Sequence, residues 1–112
     1  MTTRVCFRLQ LKPERAEEYV QRHRDVDRGM LDAIRDAGRR NYSIFLGDDG
    51  LLIGYYEVDD VAASAAALAG DPRTRAWEAE SATFFADLEG RPDTGATDLV
   101  EVFHLDGRRS DR

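Results

Sequence analysis

"NYSIFLGDDGLLIGYYEV", residues 41–58, decides the fold. Two apolar runs flank Gly-Asp-Asp-Gly, which carries the turn chemistry that a tight antiparallel connection needs. Side chains alternate faces along a strand, so Tyr42, Ile44 and Leu46 share one face of the first arm. Leu52, Gly54, Tyr56 and Val58 share one face of the second. The stretch predicts a β-hairpin with one apolar face, and the flanking segments have to cover it.

Working outward toward the N-terminus, "VCFRLQL", residues 5–11, alternates in the same way. Val5, Phe7, Leu9 and Leu11 fall on one face and predict a third half-buried strand. Between that strand and the hairpin, Pro13 suits the first turn of a helix. From there Ala16, Tyr19, Val20, His23, Val26, Met30, Leu31, Ile34 and Ala37 recur at helical spacing. Gly29 marks a bend, because glycine is a poor helix former, and Gly38 is placed to cap the C-terminus.

Toward the C-terminus, Asp59 or Asp60 caps a helix over "VAASAAALAG", which Gly70 ends. "DPRTRAWEAESATFFADLEG" starts another with an Asp cap and a proline at its first position. Trp77, Ser81, Phe84, Phe85 and Leu88 form its inner stripe. "RPDTGATD" reads as a polar loop, "LVEVFHL" (residues 99–105) as the last strand, and residues 107–112 as a disordered tail. The order is the split βαβ one: an α+β, ferredoxin-like βαββαβ domain over residues 1–106. Helices cover one face of such a four-stranded antiparallel sheet. The other face carries apolar and aromatic residues, so a second copy is the expected cover, giving a homodimer and a dimeric α+β barrel.

Composition narrows the function. A net charge of −6 argues against a phosphate-backbone binder, which needs a basic stripe. The short arginine clusters (Arg22 and Arg24, Arg39 and Arg40, Arg108 and Arg109) read as solvated surface. A single cysteine, Cys6, forms no internal disulfide and points to a reducing cytoplasm. "MTTRVCFRLQLKPE" has no apolar core of a secretion signal, and no stretch is long and apolar enough for a membrane span. Metal-ligand spacings, phosphate-cradling glycine loops, nucleophile elbows and redox-cofactor motifs are all missing from the sequence.

Proton transfer by side chains remains. A free imidazole titrates at about pH 6.5, so His23 can donate and accept protons near neutrality. Tyr19 lies one turn earlier on the same face, where i and i+4 side chains meet. Both also fit plain packing roles. Tyr42 opens the second strand. Trp77, the chain's one tryptophan, offers a flat face of the kind that stacks on the C–H face of a sugar. Glu101 is a weaker candidate proton partner, and His104 alternates away from Phe103 toward an interface.

Four pieces in order, "EEYVQRH", "RNYSIFL", "RAW" and "EVFHL", resemble the L-rhamnose mutarotases, small sugar 1-epimerases, over residues 4–105. The resemblance implies a dimeric α+β barrel that interconverts the α and β anomers of a 6-deoxy sugar with no metal or organic cofactor. It implies that His23 is the general acid, that Tyr19 and Tyr42 contact the sugar, and that Trp77 borders it. Two positions depart from the family pattern: Ala76 stands where the family has the first of two tryptophans, and Asp27 where it has an aromatic. The same fold hosts other chemistry. A cofactor-independent monooxygenase and a non-enzymatic small-ligand-binding domain are therefore the competing expectations.

Overall fold

The computed structural model of the protein describes residues 1–86, 88 and 90–106. The hairpin forms as its sequence dictates. Strands β2 (Arg40–Leu46) and β3 (Leu51–Val58) pair antiparallel, with Leu46 opposite Leu52. Asp49 and Gly50 both take positive φ in the turn. A Cβ on Gly50 would stand 2.5 Å from the Leu11 carbonyl, so only glycine fits there. Strand β1 (Thr3–Gln10) pairs with the other edge of β3, and β4 (Thr97–Leu99) pairs with β1. The sheet order is β2-β3-β1-β4, antiparallel throughout.

On β1 and β3 the two faces separate as the alternation requires, but on β2 Ile44 and Leu46, which share the core-side face, are 39% and 42% exposed because the helices do not reach over that edge strand. Phe7, Leu9, Leu52, Tyr56 and Val58 are buried beneath the helices. Gly54 sits among them because Phe7 lies opposite and its ring covers the glycine: a Cβ at Gly54 would come within 2.1 Å of the ring. On the other face Phe45, paired with Ile53, is 63% exposed.

The long helical segment is two helices. Helix α1 covers Ala16–Arg22 and α2 covers Arg28–Asp36. The break falls at His23–Asp27 and not at Gly29, which lies in the first turn of α2. Its cause is Asp27, whose carboxylate accepts from the Met30 backbone N–H at 3.2 Å and starts a new helix. Gly38, at φ +86°, follows the end of α2 as expected. Its N–H bonds the Arg35 carbonyl and the next N–H bonds that of Ile34, a Schellman ending. Asp60, not Asp59, caps α3 (Val61–Gly70).

Helix α4 runs over Arg75–Ala82, after a tight turn that Asp71 and Pro72 start. It stops short of Phe84 and Phe85, which the sequence pattern placed on it. Both aromatics still enter the core from beyond its end: Phe84 is 1% exposed, and Phe85 bridges to Leu11. The polar loop contains a single helical turn, α5 (Pro92–Gly95), and leads straight into β4.

The last strand is therefore displaced. It occupies residues 97–99, and residues 100–105 form no strand. Leu99 faces Cys6, and that register would set Glu101 against Arg4. Their side chains do meet, at 2.8 Å, but the backbone ladder has ended. Val100, Val102 and Leu105 are largely exposed, so this chain's own sheet has nothing to bury them against. The tail expected over residues 107–112 lies outside the described residues. Among the described residues no helix is long and apolar enough to cross a membrane.

Candidate active site

A cavity of about 930 Å³ opens between the helices and the core face of the sheet, within the range of small-molecule pockets. All four residues singled out from the sequence line it: Tyr19, His23, Tyr42 and Trp77. They divide between two ends.

His23, Tyr19 and Trp77 form one end. His23 closes α1, where terminal carbonyls lack helical partners. The Tyr19 carbonyl accepts from the His23 backbone N–H at 3.2 Å and lies 2.9 Å from Nδ1 of the ring. The imidazole packs on the Tyr19 ring at 4.3 Å between centroids and sets against Trp77 edge-on at 5.4 Å. Burial pushes the His23 pKa down and the Arg22 charge adds to that. The Tyr19 carbonyl opposes both but does not outweigh them. Burial also raises the Tyr19 phenol to about 12, so it stays protonated at neutral pH.

Arg22 is not surface charge. Its side chain is 11% exposed and its guanidinium stacks 3.6 Å above the Trp77 ring. It donates to the Trp77 carbonyl, to Ser81 Oγ and to Glu80. One face of the indole is thus occupied by the guanidinium.

Tyr42 stands at the other end with residues that the sequence reading left out of the site. Its ring packs at 5.1 Å from Tyr56, and both phenols are pushed up by burial. Arg39, also read as surface, has a side chain only 2% exposed. It grips both carboxylate oxygens of Asp93, at 2.5 and 3.3 Å, donates to Ser64 Oγ, and lies 4.3 Å over the Tyr56 ring. The Asp93 carboxylate is also 3.8 Å from Arg91, which binds Glu78 at 2.5 Å. Charges alternate along this wall. Tyr56 had a signal, since it shares the apolar face of β3. Arg39 and Asp93 had none, because they lie far apart in sequence in polar surroundings.

The two family departures fall outside the cavity lining. Ala76 is exposed, and Asp27 is spent on capping α2. Glu101 is bound to Arg4 on the sheet's edge and does not reach the cavity.

A ferredoxin-like sheet, helices on one face and a pocket holding an imidazole among phenols define a small α+β domain with acid–base capability. The L-rhamnose mutarotase family model matches residues 4–105. An L-rhamnose mutarotase of Ligilactobacillus salivarius is 36% identical, over 95% of this chain and all of that protein. One from Lachnoclostridium phytofermentans is 33% identical, over 92% of this chain and 98% of its own length. The chain belongs to the L-rhamnose mutarotase family. In fold it is similar to the crystal structure of an L-rhamnose mutarotase from Formosa agariphila, with a TM-score of 0.74 at 23% identity over 92% and 98% of the two chains. It also resembles a putative antibiotic biosynthesis monooxygenase from Nitrosomonas europaea, with a TM-score of 0.59 at 15% identity over 91% of each. That likeness concerns the fold alone.

Proposed function

We propose that this protein is an isomerase that interconverts the α and β anomers of L-rhamnose or a related 6-deoxy sugar by acid–base ring opening. The observation that carries the reading is the meeting of Tyr19, His23, Tyr42 and Trp77 around one cavity. A pyranose opens when its anomeric hydroxyl loses a proton and its ring oxygen gains one. Rotation about C1–C2 and closure on the other carbonyl face give the other anomer. His23 is the proton donor to the ring oxygen, Tyr19 and Tyr42 hold hydroxyls, and Trp77 borders the sugar.

Saturation-transfer NMR tests this. L-Rhamnose anomers are expected to exchange faster with the protein than without it, at a pH where spontaneous exchange is slow. L-fucose, L-lyxose and D-glucose rank specificity. No acceleration with any of them would leave the ligand-binding reading in its place.

The working unit on this reading is a homodimer in the cytoplasm. Exposed Phe45 on the open sheet face, and Val100, Val102 and Leu105 beyond β4, support a second copy as their cover. Free Cys6 suits a reducing compartment. Sedimentation is expected to give the mass of two chains. Phe45→Glu combined with Val102→Asp should shift it to one, and a monomeric parent would refute the dimer.

A further inference from the structure

The anomeric hydroxyl's base is assigned by the way His23 is held. The Nδ1 nitrogen stands 2.9 Å from a backbone carbonyl oxygen, which can only accept. Nδ1 therefore carries the hydrogen, and in the neutral ring Nε2 is left with a bare lone pair.

The surrounding charges bear that out element by element. On α1 the charge that acts on His23 is the Arg22 cation, tied to Glu80 and Ser81 of α4. Glu78 of α4 is held by Arg91, and Asp27 at the start of α2 accepts from its own helix. Across the cavity Asp93 is engaged by Arg39. Asp98, opposite Phe7, exerts its charge on Tyr56. Among the described residues no carboxylate is one of the groups that act on His23, and burial keeps the ring neutral to lower pH than a free imidazole.

We propose that neutral His23 carries the proton alone, as base to the anomeric hydroxyl first and as acid to the ring oxygen second. This rests on the mutarotase reading. Nε2 takes the proton of O1–H while the C1–O5 bond breaks and the C1=O1 double bond forms. The imidazolium gives that same proton to O5. Both oxygens are bonded to one carbon, so one nitrogen serves both. Closure reverses the steps on the other face: O5–H returns its proton to Nε2, O5 rebonds to C1, and the former carbonyl oxygen takes the proton. Atoms and charge balance with no second acid or base. The phenols bind hydroxyls and stay protonated.

The pH dependence of kcat/KM for anomer exchange, corrected for the spontaneous rate, tests the order of the two roles. A neutral starting base gives a plateau at neutral pH and a fall of about tenfold per pH unit below the His23 titration. An acid-first histidine gives the opposite slope, activity falling as pH rises, and would overturn the proposal. His104→Gln keeps the profile, which fixes the titration on His23. Nitrogen-15 NMR of the free protein reads the ring directly: a hydrogen on Nδ1 and a bare Nε2 are expected. A hydrogen on Nε2 at neutral pH would also overturn it. So would a Tyr42→Phe variant whose kcat falls as far as that of His23→Ala, since the phenol would then share the proton work. Absence of exchange at every pH defeats the mutarotase reading instead, while the ring's tautomer stands or falls on the NMR.

Discussion

His23→Ala is expected to lower the catalysed rate of anomer exchange by about 10²–10⁴-fold, the usual worth of a well-placed general acid or base. Three other titratable groups of the cavity are already protonated or committed elsewhere. The Tyr19 phenol titrates near 12, and Glu78 and Asp93 are engaged by arginines. The fold should survive, because His23 is half-buried at a helix end and lies outside the apolar core. Circular dichroism and melting temperature close to the parent's would separate lost chemistry from lost structure. A variant that still exchanges anomers at the parent's rate would remove His23 from the mechanism.

The second large effect concerns stability. Asp93→Ala leaves the Arg39 guanidinium buried, with Ser64 Oγ and the Tyr56 ring as its remaining partners. Removing one member of a buried ion pair typically costs about 3–5 kcal/mol. For a domain near 100 residues each kcal/mol lowers the melting temperature by about 4–8 °C. Thermal unfolding at fixed protein concentration reads this directly. Replacing both members, Arg39→Met with Asp93→Leu, should recover most of the loss, since the cost lies in the unpaired charge. If Asp93→Ala melts like the parent, the pair is not the brace described here. Because Tyr42 and Tyr56 rest beside it, the double variant is the one to assay for sugar affinity.

The sequence disclosed what periodicity and turn chemistry govern. The hairpin, the buried face of β3 and β1 followed from alternation, and the ferredoxin-like order followed from the sequence of elements; the β2 half of the hairpin face, Ile44 and Leu46, stays exposed because an edge strand has cover only where a helix reaches it. Helix ends were less legible. Asp27 breaks the first helical segment because its side chain competes for a backbone N–H, a local event that a 3.6-residue pattern passes over. Phe84 and Phe85 kept their spacing and their burial without being helical, since a turn can deliver the same faces. The final strand was misplaced for a longer-range reason: "LVEVFHL" has strand chemistry, but pairing needs an edge, and β4 pairs with β1 over residues 97–99 and no further.

The site divides in the same way. Tyr19 and His23 were visible because one helix presents both. Tyr42 and Trp77 were singled out as a strand aromatic and the chain's one tryptophan, the resemblance gave them sugar contacts, and they meet the other two in one cavity. Arg39 and Asp93, 54 positions apart, become neighbours only once the sheet and the loop before β4 are folded together. Arginines judged by their sequence neighbours alone look solvated, and Arg22 and Arg39 show how far burial departs from that.

Trp77 has one more consequence. It is the chain's single indole, and it stands in the wall of the cavity between a guanidinium and the imidazole. All tryptophan emission from this protein therefore originates at the site. The molecule carries its own optical reporter, native and unlabelled, whose colour and intensity report on the surroundings of His23 and Arg22.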